Sequence, residues 1–459
     1  MRNATDSGAP APLIPPERRI SVIGTGYLGA THAVCMAALG FETLGMDVDT
    51  EKVTALSAGR LPFYEPGLEA LLREQLASGR LRFTTSYEEV AGFAEVHFSC
   101  VGTPQRADGP GAELAYVDAV VEGIGPHLRR PCLLVGKSTV PVGTAERLAS
   151  RLAELAPVGR DAEVAWNPEF LREGFAVRDT LRPDRLVLGV ASDRAERLLR
   201  EVYAPLLDPR DGSEPVPLVV ADLATAELVK VAANSFLATK ISFINAMAEV
   251  CEVAGADVAR LAEALSYDPR IGGRFLRSGV GFGGGCLPKD IRAFMARAEE
   301  LGVGPAVRFL REVDEVNLRR RTAVADLARE LVGGAFRGRR IAVLGAAFKP
   351  DSDDIRDSPA LAVADRVQRE GAEVTVYDPK ATDNARKAFP ALAFADSVGK
   401  AAYRADAVLH LTEWAEFRDI DPGELSGTVA RQRIVDGRNA LDAARWRAAG
   451  WTFRALGRP

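Results

Sequence analysis

The chain's 459 residues exceed what one hydrophobic core normally organises, so two or three domains are expected. Its 47% hydrophobic and 26% charged residues fit an ordinary globular protein, and no apolar run approaches the roughly 20 residues that cross a bilayer, which excludes membrane insertion. A formal net charge of -5, spread over well-mixed acids and bases, argues against a nucleic-acid surface.

Residues 1–17 are rich in Pro, Ala and small polar residues, lack the pattern of a secretory signal, and are expected to form a disordered tail. The cysteines, Cys35, Cys100, Cys132, Cys251 and Cys286, are odd in number and scattered. No disulfide framework is expected from them, and reduced thiols in a cytoplasm are. His32, His97, His127 and His410 show no metal-ligand spacing, and neither does any cysteine pair, so no metal is implied.

In chain order, Arg19 to Ile23 reads as a short buried strand, Gly24-Thr25-Gly26-Tyr27-Leu28-Gly29 as a tight turn, and Ala30 to Leu39 as a helix. A second strand, Phe41 to Met46, ends in Asp47. Strand signals near Val96 to Val101, Cys132 to Lys137, Glu163 to Trp166 and Leu186 to Val190 continue a β/α alternation that implies a parallel, doubly wound sheet. From Asp222 to Ala254 the pattern becomes one long helix, with Asp222 as N-cap and Gly255 as stop. A glycine-rich loop, Gly279 to Gly285, precedes another helix, Val313 to Leu331, which ends at Gly333-Gly334. Then the opening theme returns: strand Arg340 to Leu344, turn Gly345-Ala346-Ala347, strand Val374 to Tyr377 ending in Asp378, and further strands at Ala407 to Leu411 and Arg433 to Val435. The expected fold is α/β, with two Rossmann-like doubly wound domains, 18–210 and 333–459, joined by a helical central region, 211–332.

The glycines at 24, 26 and 29 suit a turn that approaches a pyrophosphate closely, with the helix amino terminus offering N–H donors. Asp47 follows Gly29 by 18 residues, where its carboxylate can accept from a ribose 2′-hydroxyl and repel a 2′-phosphate, favouring NAD over NADP. Cys286 differs from the other four cysteines, which sit in apolar helix or strand contexts that suit a core. Glycine surroundings let a substrate approach it, and Lys289 could favour the thiolate of a group whose unperturbed pKa is about 8.5. Local features leave nucleophile and structural thiol both open. Lys230 and Asn234 share a helix face within an apolar run, as a polar site or as a snorkelling lysine beside an unremarkable amide. The segment 167–174 places Glu169 and Glu173 in a turn that a solvated loop would also explain. Ser138-Thr139-Val140-Pro141 lies at a carboxyl end of the sheet, where ligands of such folds bind.

Together these segments closely resemble the UDP-glucose and GDP-mannose dehydrogenase family, from about Arg19 to the end. The most specific stretches are GTGYLG (24 to 29), LPFYEPGL (61 to 68), VGTP (101 to 104), KSTVPVGT (137 to 144), NPEFLREG (167 to 174), KVAANSFLATKISFINAMAE (230 to 249), DPRIG (268 to 272), GFGGGCLPKD (281 to 290), FKPDSDDIRDSP (348 to 359) and DGRN (436 to 439). The resemblance implies a four-electron oxidation of a nucleotide-sugar C6 alcohol to a carboxylate, with two NAD reduced in turn and Cys286 carrying thiohemiacetal and thioester. It implies that Lys230 and Asn234 stabilise charge on the C6 oxygen, that Asp290 and Thr139 position water, and that Glu169 is the general base. For NAD it implies Gly24, Gly26, Tyr27, Leu28, Gly29, Asp47, Lys52, Thr103, Thr139, Glu173 and Arg356. For the substrate it implies Phe170, Leu171, Glu173, Lys230, Asn234, Phe275, Arg277, Phe282, Gly283, Lys349 and Arg438, with Arg270 reaching across the interface of a homodimer or larger homo-oligomer.

One departure concerns Gly285, where family loops usually carry Ser; the loop is expected to gain freedom there. UDP-glucose is the expected substrate, with dTDP-glucose or GDP-mannose as alternatives; uracil and thymine are not separated, because one methyl group changes binding by only about 1 to 3 kcal/mol. UDP-N-acetyl sugars fit less well, since their dehydrogenases tend to place a histidine before the cysteine. A silent nucleotide-sugar sensor and a one-step alcohol dehydrogenase are the remaining readings.

Overall fold

The computed structural model describes residues 19–209 and 212–458, so the predicted tail at 1–17 lies outside the described residues. The chain divides into two compact units: one takes in the chain up to Arg106 and Ala112–Lys230, the other Ala107–Gly111 and Val231 onward.

The first unit is built on an eight-stranded sheet. Its strands are β1 (Arg19–Ile23), β2 (Glu42–Met46), β3 (Leu81–Thr84), β4 (Val96–Ser99), β5 (Cys132–Gly136), β6 (Ala162–Trp166), β7 (Leu186–Gly189) and β8 (Leu218–Ala221), in the order β3-β2-β1-β4-β5-β6-β7-β8. All neighbours run parallel except β6 and β7, which meet in one antiparallel pair, Trp166 with Gly189. Alternate residues of each strand feed the two faces. Ile20 and Val22 of β1 join one apolar cluster and Ile23 the other, so buried parallel strands read as nearly unbroken apolar runs. The order reverses at β1, which opens a crevice at the carboxyl ends of β1 and β4.

The second unit carries a six-stranded, all-parallel sheet. It comprises β9 (Arg340–Leu344), β10 (Glu373–Tyr377), β11 (Ala393–Phe394), β12 (Ala407–His410), β13 (Arg433–Asp436) and β14 (Thr452–Ala455), ordered β11-β10-β9-β12-β13-β14. Two Rossmann-like sheets with helices between them are what the sequence predicts. The linking helix spans Leu223–Ala254. The carboxylate of Asp222 accepts from the N–H of Thr225 at 2.7 Å, and Gly255 ends the run at φ 70°, so the predicted N-cap and stop act as such. The later helix starts earlier than its apolar spacing indicates, at Phe309, and ends at Leu331. Among the described residues no helix is long and apolar enough to cross a membrane.

Candidate active site

The turn after β1 has the shape the glycine spacing predicts. Gly24 adopts φ 85° and its N–H bonds to Met46 at 2.8 Å. A side-chain carbon at Gly29 would stand 1.8 Å from the carbonyl oxygen of Gly24, which forces glycine there, whereas Gly26 faces open space at the start of the helix Tyr27–Ala38. That open space above N–H donors is the cradle a diphosphate needs. At the end of β2, Asp47 is buried and its Oδ2 accepts from the Thr25 N–H at 2.8 Å and from Lys52 Nζ at 2.9 Å, while Oδ1 accepts from Asp49 at 3.1 Å. Burial alone would raise its pKa, but Lys52 and the backbone donors outweigh burial and hold the carboxyl below its usual range. The residues therefore fit an NAD ribose and diphosphate.

The second sheet repeats this outline and closes it. Asp378, at the end of β10, accepts from the N–H groups of Ala346, Ala347, Lys380 and Ala381 at 2.8 to 2.9 Å and from Trp414 Nε1 at 3.1 Å. A carboxylate so saturated fastens loops and has little capacity left for a ribose.

At the carboxyl ends of β4 and β5, Thr103 Oγ1 donates to the Thr139 carbonyl at 2.7 Å, joining two predicted site loops. Lys137 is buried, and its Nζ reaches Asn167 Oδ1 and Glu169 Oε2, both at 2.9 Å. Burial disfavours its charge, yet the Glu169 carboxylate wins and keeps it ionised. The other oxygen of Glu169 accepts from the N–H groups of Phe170 and Leu171 at 2.8 and 3.0 Å. The expected base is thus an ordered carboxylate at the head of its loop. Phe170 offers its ring to Arg185 at 3.9 Å and to Lys230 at 5.3 Å. Lys230 is buried and makes no ion pair among the described residues, so the snorkelling alternative does not hold.

Two glutamates that the sequence reading passed over organise these loops. Glu65, within LPFYEPGL, is buried and accepts from the Tyr27 hydroxyl, from Gly174 N–H at 2.7 Å and from Ala176 N–H at 2.8 Å. It ties the first turn of the dinucleotide helix to the loop that carries Glu173; burial first, then the nearby Glu65 and Glu173, raises the Tyr27 phenol well above its ordinary pKa. Glu227 accepts from Gly143 and Ala145 at 2.7 and 2.6 Å and holds the loop after Thr139. An acid inside an otherwise apolar helix, as Glu227 is, was the available signal. Glu65→Ala would strand three donors, each costing about 1 to 3 kcal/mol when unsatisfied. A loss of about 3 kcal/mol or more is expected by urea denaturation, and an unchanged midpoint would contradict the tie.

In the second unit, Cys286 occupies the N-cap position of the helix Leu287–Glu300 and is the exposed cysteine; the other four are buried, as their contexts predict. Its carbonyl accepts from the Asp290 N–H at 2.9 Å. Asp290, 2% exposed, binds Asn234 Nδ2 through Oδ2 and Lys289 Nζ through Oδ1, each at 2.6 Å. Three predicted residues thus meet, and Lys289, expected to favour the thiolate, is engaged by its neighbour.

The glycine loop is held more firmly than its composition suggests. Asn317 takes both the N–H and the carbonyl of Phe282, at 2.7 and 2.9 Å; Gly284 N–H bonds to the Arg356 carbonyl at 2.9 Å. Arg438 is half-buried and gives Nε to Leu411, Nη1 to Gly281 and Nη2 to Phe348, all backbone carbonyls, at 2.7 to 3.0 Å. Burial lowers its pKa, partly offset by Glu413. The expected nucleotide contact therefore also staples the cysteine loop. The freedom predicted at Gly285 is not found: the guanidinium of Arg356 fills the space a side chain there would take. Gly283 is equally confined, a side-chain carbon there meeting the Asp357 carbonyl at 2.2 Å. Lys349 lies over the Phe348 ring at 5.5 Å. Phe275, at φ 63°, and Arg277 are exposed, and Arg270 stands 88% exposed, paired with Asp268 at 2.7 Å. Among the described residues no cluster of His, Cys, Asp or Glu could hold a metal ion.

Comparison with known proteins agrees with this layout. Residues 18–207 match the NAD binding domain of the UDP-glucose/GDP-mannose dehydrogenase family, 224–319 its central domain and 342–443 its UDP binding domain. A UDP-glucose 6-dehydrogenase of Rhizobium meliloti is 41% identical over 443 residues, covering 96% of this chain and 100% of that one. One from Pseudomonas aeruginosa is 41% identical over 451 residues, covering 96% and 98%. The solved UDP-glucose dehydrogenase of Pyrobaculum islandicum superposes with a TM-score of 0.87 at 37% identity, covering 96% of this chain and 98% of that one.

Proposed function

Because the chain belongs to the UDP-glucose/GDP-mannose dehydrogenase family, an NAD-using group, we propose that it oxidises UDP-glucose at C6 to UDP-glucuronate, consuming water and reducing two NAD. The observation that carries this is Cys286, exposed at the head of the helix whose buried Asp290 accepts from Asn234 of the long helix. NAD, when bound, supplies the acceptor for one hydride in each oxidation. Gly24, Gly26, Tyr27, Leu28, Gly29, Asp47, Lys52, Thr103, Thr139, Glu173 and Arg356 are the proposed residues that hold it.

In the proposed course, Lys230 and Asn234 stabilise negative charge on the C6 oxygen as the alcohol becomes an aldehyde. Glu169 receives the alcohol proton; Lys137 and two N–H groups fix where its carboxylate stands. The Cys286 thiolate adds to the aldehyde carbon, and the oxyanion takes up a proton to give a thiohemiacetal. A second two-electron oxidation with loss of that proton gives a thioester. Water placed by Asp290 and Thr139 then adds to the acyl carbon, the C–S bond breaks, and carboxylate, thiol and one proton released to solvent result. Phe170, Leu171, Glu173, Phe275, Arg277, Phe282, Gly283, Lys349 and Arg438 make up the proposed substrate surface, with 18–210, 211–332 and 333–459 as NAD, central and nucleotide-sugar regions. A thiol nucleophile suits a reducing cytoplasm.

A homodimer is part of this reading. Phe236, Phe243 and Val250 recur every seven residues on the long helix and are 68%, 49% and 58% exposed, an apolar stripe that a second copy would cover, letting Arg270 serve its partner. Replacing Phe236 and Phe243 by serine together is expected to halve the mass seen by light scattering, with loss of activity; an unchanged mass would place the interface elsewhere.

The deciding measurement is NADH formed per sugar, with dTDP-glucose and GDP-mannose beside UDP-glucose. Two NADH with UDP-glucose preferred is the expected result, whereas another preferred sugar would move the substrate. One NADH per sugar with indifference to Cys286→Ala would mean a one-step dehydrogenase, and none with any sugar would mean a sensor.

A further inference from the structure

We propose that Arg356 is a positioning residue for Cys286, its guanidinium favouring the thiolate, and that glycine at 285 is what admits it; this rests on the reading of Cys286 as the nucleophile. A side-chain carbon at Gly285 would lie 2.3 Å from Cζ of Arg356, 2.5 Å from Nη1 and 2.7 Å from Nε. The guanidinium therefore lies against the backbone of the residue that precedes the thiol, in volume that any larger residue would claim. Its placement is fixed from both ends. The Arg356 carbonyl accepts from Gly284 at 2.9 Å, and Asp354 grips Nε and Nη2 at 2.9 and 2.7 Å, which orients the fork.

The other charges on the elements packed around the cysteine turn are accounted for. On the helix that follows it, Lys289 is bound to Asp290 at 2.6 Å. On the neighbouring helix, Arg321 pairs with Asp357 at 2.7 Å. Lys349 adjoins Phe348, whose ring borders Gly284. Of these cations, Arg356 is the one set against residue 285. The amino terminus of the helix Leu287–Glu300 adds a favourable dipole at Cys286. Because the Arg356 side chain is 62% exposed and shared with Asp354, water and its partner screen the field, and the effect is moderate.

The test is the rate of Cys286 alkylation by iodoacetamide as a function of pH, on the full chain without added nucleotide, with the modified site read by mass spectrometry. Gly285→Ser and Arg356→Gln are each expected to move the midpoint of reactivity upward by about half to one pH unit, slowing alkylation near neutrality roughly three- to tenfold. Arg356→Lys should recover part of the loss, and Gly285→Ser should add little to Arg356→Gln. Should Gly285→Ser fail to fold, Arg356→Gln carries the test, since it adds no bulk. Superimposable profiles for Arg356→Gln and the unsubstituted protein would overturn the proposal. Failure of the parent reading appears separately, as two NADH per sugar retained by Cys286→Ala.

Discussion

Cys286→Ser is expected to leave a folded protein whose UDP-glucose turnover falls by about three orders of magnitude or more, a barrier increase of about 4 kcal/mol. A serine hydroxyl is a far weaker nucleophile toward the aldehyde, and the ester it would form releases its acyl group more slowly than a thioester. NADH should therefore appear at one per bound sugar or less in a single turnover, then stall. Folding should not fall, because Cys286 is exposed, holds the N-cap position without a side-chain cap bond, and serine is a favoured cap. That separation makes the variant informative. Steady turnover at two NADH per sugar would remove the covalent route.

Lys230→Met has the second largest expected effect. Lys230 is a buried cation with an aromatic face at 5.3 Å and no ion pair among the described residues, so its desolvation is not offset by a carboxylate. Such a charge makes sense where negative charge develops during reaction. Loss of one preorganised stabiliser of that kind costs about 100- to 1000-fold in kcat, or about 2.7 to 4 kcal/mol. Methionine keeps most of the volume and removes the buried charge, so thermal stability should hold or rise. Dinucleotide affinity, followed by fluorescence titration, should stay the same. A variant that unfolds early but keeps its kcat would assign Lys230 to structure instead.

Much of this was legible in the chain because it rests on local rules. Glycines at 24 and 29 are demanded by φ and by close approach, Asp47 by the end of a strand, and Asp222 and Gly255 by helix termini, all of which leave residue-type signatures. Among the edge strands that went unread, β3 (LRFT) and β14 (TFRA) break their apolar residues with arginine, and β11 has two residues. None of these carries the apolar run that marks a short inner strand such as β7 (LVLG); β8 (LVVA) carries such a run and was still missed. The loop-fastening roles of Glu65, Glu227 and Arg438 were illegible for another reason. Their backbone partners lie 27 to 157 residues away, Leu411 and Gly281 of Arg438 at the two extremes, and backbone donors and acceptors are the same in every sequence. The fate of Gly285 was hidden likewise: an absent side chain says nothing about which neighbour fills its place.

On the proposed mechanism, the closed carboxylate of the second sheet would set a rhythm for turnover. With Asp378 consumed by its own loops, the described residues offer one ribose-accepting acid at the end of a dinucleotide turn, Asp47. In the proposed course Gly26 and Asp47 would serve both oxidations in succession, and the half-oxidised sugar would wait while they are reloaded. The proposed tether to Cys286 would turn its escape from a diffusion event into a bond-breaking one, so the aldehyde's lifetime in solution would become a matter of covalent chemistry rather than of how quickly a pocket can be refilled.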